Sequence, residues 1–235
     1  MRAFLFDLDD TLFDHRHSTR VALDVVRERL APLGTLSVEA LEEQHAAVLE
    51  ELHRRVLAGE MDVDAARLER FHRLVLMQGA SVRPAEIEAA ARAYRAAYVG
   101  ARRAVAGAIQ LLEALRPHGR TAVVSNNVAT EQLEKAAVCG IDRHVDALVI
   151  SEAVGVAKPD PAIFYIALER LGAQAVDAVM IGDSWGADIA GARAAGIRAV
   201  WFNPLRRPCP DPSLLSAEIH TWEPAAEVAQ TLLAC

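Results

Sequence analysis

The sequence predicts an α/β protein: a Rossmann-like core built on a parallel sheet, with a bundle of helices inserted into it. Three observations carry this. A short apolar run opens the chain and stops at a cluster of acids, a long stretch of helical periodicity follows, and from Gly107 onward helix and strand patterns alternate. With 235 residues and 52% hydrophobic content, the chain has material for one large core and a satellite unit, and too little for two full-sized domains.

Ala3 to Leu8 is short, apolar and rich in aromatic and branched residues, which suits a buried strand. Residues 17–103 carry apolar side chains at helical spacing, first at Val21, Val25, Val26 and Leu30, then at Val38, Leu41, Val48 and Leu52. Two further segments run through Phe71 and Val75 and through Ile87, Tyr94 and Tyr98. Breaks near Pro32–Gly34, Gly59 and Gly79–Pro84 divide the stretch into about four helices. The core is thus expected over residues 1–16 and 104–235, with the helical unit at 17–103.

Beyond Gly107 the expected order is a helix ending near Gly119, a strand at 121–124 reaching Ser125, a helix at 130–138 and a strand at 146–150. A helix at 161–171, a strand at 177–181, a helix at 187–195 and a strand at 198–202 follow. Such alternation implies parallel strands with right-handed crossovers. The proline-rich stretch after Phe202 reads as an extended connection, and Ala225–Leu233 as a closing helix.

A net charge of -7 argues against a nucleic-acid surface, which needs clustered Lys and Arg. Three cysteines, Cys139, Cys209 and Cys235, lack metal-type spacing and read as free thiols in a reducing compartment. No apolar stretch reaches the length of a membrane span, so a cytoplasmic protein, monomeric or homodimeric, is expected.

Ligands of open parallel sheets bind beyond the carboxyl ends of the strands. Asp7, Asp9, Ser125 and Asp183 fall at such ends, and Lys158 lies in a connection before a helix. Several carboxylates in one crevice repel one another unless a cation neutralises them, and an all-oxygen set suits Mg²⁺. Such an ion, with Lys158, draws charge off a phosphoryl group so that a carboxylate attacks in line. Asp7 is the candidate nucleophile. If strand geometry continues, Asp9 shares its face and serves as acid and base toward the leaving alcohol and water.

Asp7-Leu8-Asp9-Asp10-Thr11, Ser125, Lys158-Pro159 and Gly182-Asp183-Ser184-Trp185-Gly186-Ala187-Asp188 resemble, in order, the four motifs of the haloacid dehalogenase superfamily. The inserted helices resemble its C1 cap. The resemblance implies Asp7 as nucleophile and metal ligand, and Asp9 as acid and base with its carbonyl on the metal. It further implies Ser125 on the phosphoryl group, Lys158 steadying charge, Asp183 on the metal, Asp188 behind it, and Thr11 and Asn126 assisting at the phosphate. Asp10 stands where many sugar-phosphate and phosphoglycolate phosphatases of the superfamily carry Gly. The opening Asp-Asp-Thr-Leu-Phe-Asp is similar to the pyrimidine 5'-nucleotidase and N-acylneuraminate-9-phosphatase branches.

Other readings of these residues exist. Asp7 and Asp9 also suit a turn, Ser125 and Asn126 a helix cap, and Lys158 a solvated surface. Asp160 before Pro161 reads as an N-cap, and Gly186, Gly191 and Gly196 as close helix packing. His15, His17, Arg102-Arg103 and Arg206-Arg207 read as surface groups, and Trp185 as a residue that lines the substrate mouth or stacks on a base. The expected function is magnesium-dependent hydrolysis of a small phosphorylated metabolite through an aspartyl phosphate, with a nucleoside 5'-monophosphate in view. A 2-haloacid dehalogenase-like hydrolase and a phosphoaspartate-switched binding module are the alternatives.

Overall fold

The computed structural model describes residues 2–235. These form two compact units, one through Asp14 and from Arg103 to Cys235, the other His15–Arg102. In the first, β1 (Ala3–Phe6) is followed, after the helical unit, by α5 (Ala108–Leu115), β2 (Arg120–Ser125), α6 (Ala129–Val138) and β3 (Ala147–Ile150). Then come α7 (Ser151–Val154), α8 (Pro161–Leu171), β4 (Ala178–Gly182), α9 (Gly191–Ala194), β5 (Arg198–Phe202), β6 (Ala217–Ile219) and α10 (Ala225–Ala234). The helical unit comprises α1 (His15–Arg29), α2 (Val38–Leu57), α3 (Val63–Met77) and α4 (Pro84–Gly100).

The six strands form one sheet in the order β3-β2-β1-β4-β5-β6, and every pairing is parallel. Alternate residues sort to opposite faces, as a period of two requires. Leu5, Val124, Met180 and Trp201 join Phe164 and Leu171 of α8 in one core layer. From the opposite face Phe6 and Phe202 meet Trp222, the latter pair stacked at 3.8 Å between centroids. The Trp222 indole N–H donates to the Thr11 carbonyl at 2.8 Å, tying the C-terminal segment to the loop after β1.

The helices start where their caps say they should. Ser37 accepts from Ala40 N–H, Asp62 from Asp64 and Ala65, and Asp160 from Ala162 with Pro161 as the next residue. A Cβ on Gly191 would lie 2.9 Å from Pro159 Cα, so this glycine permits close approach, whereas Gly186 has open space. None of the described helices is long and apolar enough to cross a membrane.

Four local expectations need correction. The first strand ends at Phe6, because the Leu8 carbonyl accepts from the N–H groups of Thr11, Leu12 and Phe13 and folds the chain into a turn. The connection after Phe202 contains β6, a three-residue edge strand too short for a periodicity to register. Ser151–Val154 forms the short helix α7. The helix expected at 187–195 opens as a π-helical segment, Trp185–Ala190, before α9.

Candidate active site

The site lies within the sheet-containing unit, at the carboxyl ends of β1, β2 and β4. Asp7 follows β1, and its N–H still pairs with Ile181 of β4 at 2.9 Å. Asp183 follows β4. Lys158, in the loop between α7 and α8, is buried and sends its ammonium to Asp7 at 2.6 Å and to Asp188 at 2.7 Å. Asn126 fixes that lysine from the main chain: its side-chain N–H donates to the Lys158 carbonyl and its side-chain oxygen accepts from the Lys158 N–H, both at 2.7 Å. Asn126 therefore holds the loop that presents Lys158.

Asp188 enters from the π-helical segment, and its second oxygen accepts from Ser184 N–H at 2.9 Å. It is fully buried against Gly182, where a Cβ would stand 2.2 Å from its carboxylate oxygen. The glycine before Asp183 thus makes room for Asp188. Asp183 is anchored at its carbonyl by the Trp201 indole and by Arg207, each at 3.0 Å, and Arg207 also reaches its carboxylate at 3.4 Å. Trp185 sets its ring edge-on to Trp201, with 5.1 Å between centroids.

Oxygens of Asp7, Asp183 and Asp188 all lie within 4.8 Å of one another. Burial, then repulsion from Asp188 and Asp9, pushes the Asp7 carboxyl up to about 7 against the pull of Lys158. Burial, then Asp7, Asp188 and Asp10, pushes Asp183 up to about 8. Burial works against the Lys158 charge, but Asp188 and Asp7 more than offset it, so its pKa is raised. The acids are short of positive charge, and three hard oxygen donors at this spacing fit a Mg²⁺-type cation.

Asp9 turns to a different set of partners. Its two oxygens accept from Lys135 at 2.7 Å and from Gln132 at 2.9 Å, and the same Gln132 amide donates to Ser125 at 2.6 Å. Lys135 is almost wholly buried and lies over the Phe13 ring. Thr11 is buried, with its hydroxyl unpartnered. Sequence reasoning missed Gln132, Lys135 and Arg207, and the last belongs to a pair expected at the surface. The available signal for the first two was their spacing: with Ala136 they mark a buried face of α6 that is polar where a core face would be apolar.

An aspartate after a central parallel strand, bridged through a buried lysine to a second acid and close to a third, defines an α/β hydrolase built to handle phosphoryl groups. The chain belongs to the haloacid dehalogenase-like hydrolases, whose family model matches residues 1–196. It is 34% identical over 204 residues to the ribulose-1,5-bisphosphate 5-phosphatase of Halopiger xanaduensis, covering 86% of this chain and 84% of that one. A 36% match to the pyrimidine 5'-nucleotidase YjjG of Escherichia coli spans 50% of this chain and 54% of that one. Among solved structures, YfnB of Bacillus subtilis, bound to magnesium, aligns over 97% of this chain and 98% of that one, with a TM-score of 0.75 and 26% identity. The protein is a phosphatase of this family.

Proposed function

We propose that the protein hydrolyses phosphomonoesters with Mg²⁺, using Asp7 as nucleophile. The reading is carried by one observation: Lys158 bridges Asp7 and Asp188 while Asp183 completes a three-acid cluster. The ion, held by Asp7, Asp183 and Asp188, would supply positive charge to the phosphoryl oxygens. An Asp7 oxygen attacks phosphorus as the bond to the leaving oxygen breaks, giving an aspartyl phosphate and an alkoxide that takes a proton from Asp9. Asp9 then draws a proton from water, which attacks phosphorus and releases phosphate and free Asp7. Lys135 and Gln132 hold Asp9 by both oxygens for these transfers. Lys158 bears on the phosphoryl charge, Ser125 and Thr11 supply hydroxyls near it, and Asn126 acts through Lys158.

The helices of residues 17–103 serve as the substrate-selecting cap. Two relatives matched over most of their length are named for a sugar bisphosphate and a triose phosphate, and the nucleotidase match spans half, so a sugar phosphate takes precedence over a nucleoside monophosphate. Attack on carbon has no use for a metal-binding second Asp, so Asp9 and Asp183 count against carbon–halogen cleavage. Asp7→Asn should abolish magnesium-dependent hydrolysis of p-nitrophenyl phosphate while the circular dichroism spectrum is unchanged, and retained turnover removes Asp7 from the mechanism.

A further inference from the structure

The pair Arg206-Arg207 lies in the connection after β5, and its second member is built into the acidic cluster. Asn126 presents Lys158 by bonding its main chain with both ends of one amide. The same device occurs a second time. The Asn203 side-chain oxygen accepts from the Arg207 N–H at 3.0 Å, and its side-chain N–H donates to the Arg207 carbonyl at 2.8 Å. Asn203 is fully buried, its amide also donates to Glu218 of β6 at 2.7 Å, and its own N–H pairs with the Ile219 carbonyl at 2.7 Å. The clamp is thus anchored on the edge strand. The loop it closes passes through Arg206 at φ 51°, a conformation few residues other than glycine adopt.

A solvated surface arginine needs neither a buried amide nor a left-handed neighbour. What the clamp delivers is one Arg207 nitrogen, Nη2, placed 3.0 Å from the Asp183 carbonyl oxygen and 3.4 Å from its carboxylate. The Trp201 indole N–H holds the same carbonyl at 3.0 Å, and the guanidinium carbon lies 5.8 Å from the Trp201 ring centroid. Asp183 is therefore tied at its main chain by two donors and at its side chain by one. Carboxylates that ligate metals owe their orientation to such outer partners. Arg207 acts on an incoming cation in two opposed ways: its charge repels the ion, and its hydrogen bonds hold a ligand in place. Its side chain is 48% exposed, so solvent screens the charge and orientation outweighs repulsion.

We propose that Arg207 is a positioning residue for Asp183, and that the loop after β5 thereby sets the affinity of the site for Mg²⁺. This rests on the metal-dependent reading above.

Calorimetric titration of Mg²⁺ into the substrate-free protein tests it without turnover. Arg207→Met should raise the Kd about ten- to hundredfold, the usual scale for removing an outer partner of a metal ligand. Hydrolysis of p-nitrophenyl phosphate by the variant should be depressed at low Mg²⁺ and recover as the ion is raised, with KM for the ester unmoved. Arg207→Lys keeps the charge but loses the planar fork, so its Kd should rise by at least about threefold, and it decides the matter should Arg207→Met not fold. A folded variant whose Kd rises by less than about threefold overturns the proposal. Tighter binding overturns it as well, since Arg207 would then be no more than a repelling charge. A higher KM for the ester at an unchanged Kd also overturns it, because Arg207 would then contact substrate. A parent that takes up no Mg²⁺ overturns it together with the metal-dependent reading, which the other outcomes leave standing.

Discussion

Asn126 shows how a side chain that need not touch substrate can set the chemistry. Both ends of its amide are spent on the Lys158 main chain. Asn126→Ala leaves a partly buried N–H and carbonyl without partners, at about 1–3 kcal/mol for each group left unsatisfied. Release of the loop shifts the ammonium, and a displacement of about 1 Å is worth on the order of 10²-fold in rate. The expected result is a fall of about that size in kcat with KM little changed, measured on p-nitrophenyl phosphate. At the same scale, Asp10 adopts φ 60°, in the left-handed region where glycine is at ease and Asp is among the better-tolerated alternatives. The backbone there accounts for a position at which many sugar-phosphate and phosphoglycolate phosphatases of the superfamily carry Gly.

At the scale of elements, the turn from β4 into the π-helical segment places Asp183 and Asp188 together, and it depends on Gly182. Adding a methyl there drives Cβ to 2.2 Å from an Asp188 oxygen that Ser184 N–H already holds. Gly182→Ala should therefore cost roughly 1–3 kcal/mol. For a chain of this size that lowers Tm by roughly 2–12 °C, with activity falling at least about a hundredfold. An unchanged melting curve would show that the turn can relax.

Elements with strong periodicity were legible in the sequence: the helix at Pro161–Leu171 and the strand at Arg198–Phe202 stand where apolar spacing and flanking breakers put them. So was the convergence of Asp7, Lys158 and Asp183, because motif residues sit next to strand ends whose direction the alternating pattern dictates. What stayed hidden depends on where long side chains reach after folding. Lys135 and Gln132 look like surface residues of a helix until α6 packs beside the acidic loop, and Arg207 lies in an irregular connection that curls back to Asp183. The edge strand β6, with Glu218 at its centre, offers no apolar run to read.

For the whole molecule, charge in the site couples stability to pH. Asp7 and Asp183 have carboxyls raised to about 7 and about 8 from an ordinary 3.8, so the folded chain binds these protons more tightly than the unfolded one. Their stabilising contribution without metal is fully present below about pH 4 and lost as pH climbs through 7 to 8. A divalent cation needs the ionised acids and is favoured in the opposite sense. Thermal melts with and without Mg²⁺ should show a metal-induced rise in Tm that is larger at about pH 8.5 than at about pH 6. A rise independent of pH would mean that these acids do not bind the ion.

Trp222, far along the chain, lies flat on Phe202 and is bonded to the Thr11 carbonyl. The closing stretch of the polypeptide is therefore part of the footing on which the loop carrying Asp7 rests. Cutting the chain short of that indole, or splicing a fusion partner in ahead of it, would disturb catalysis from a place where no side chain handles phosphate.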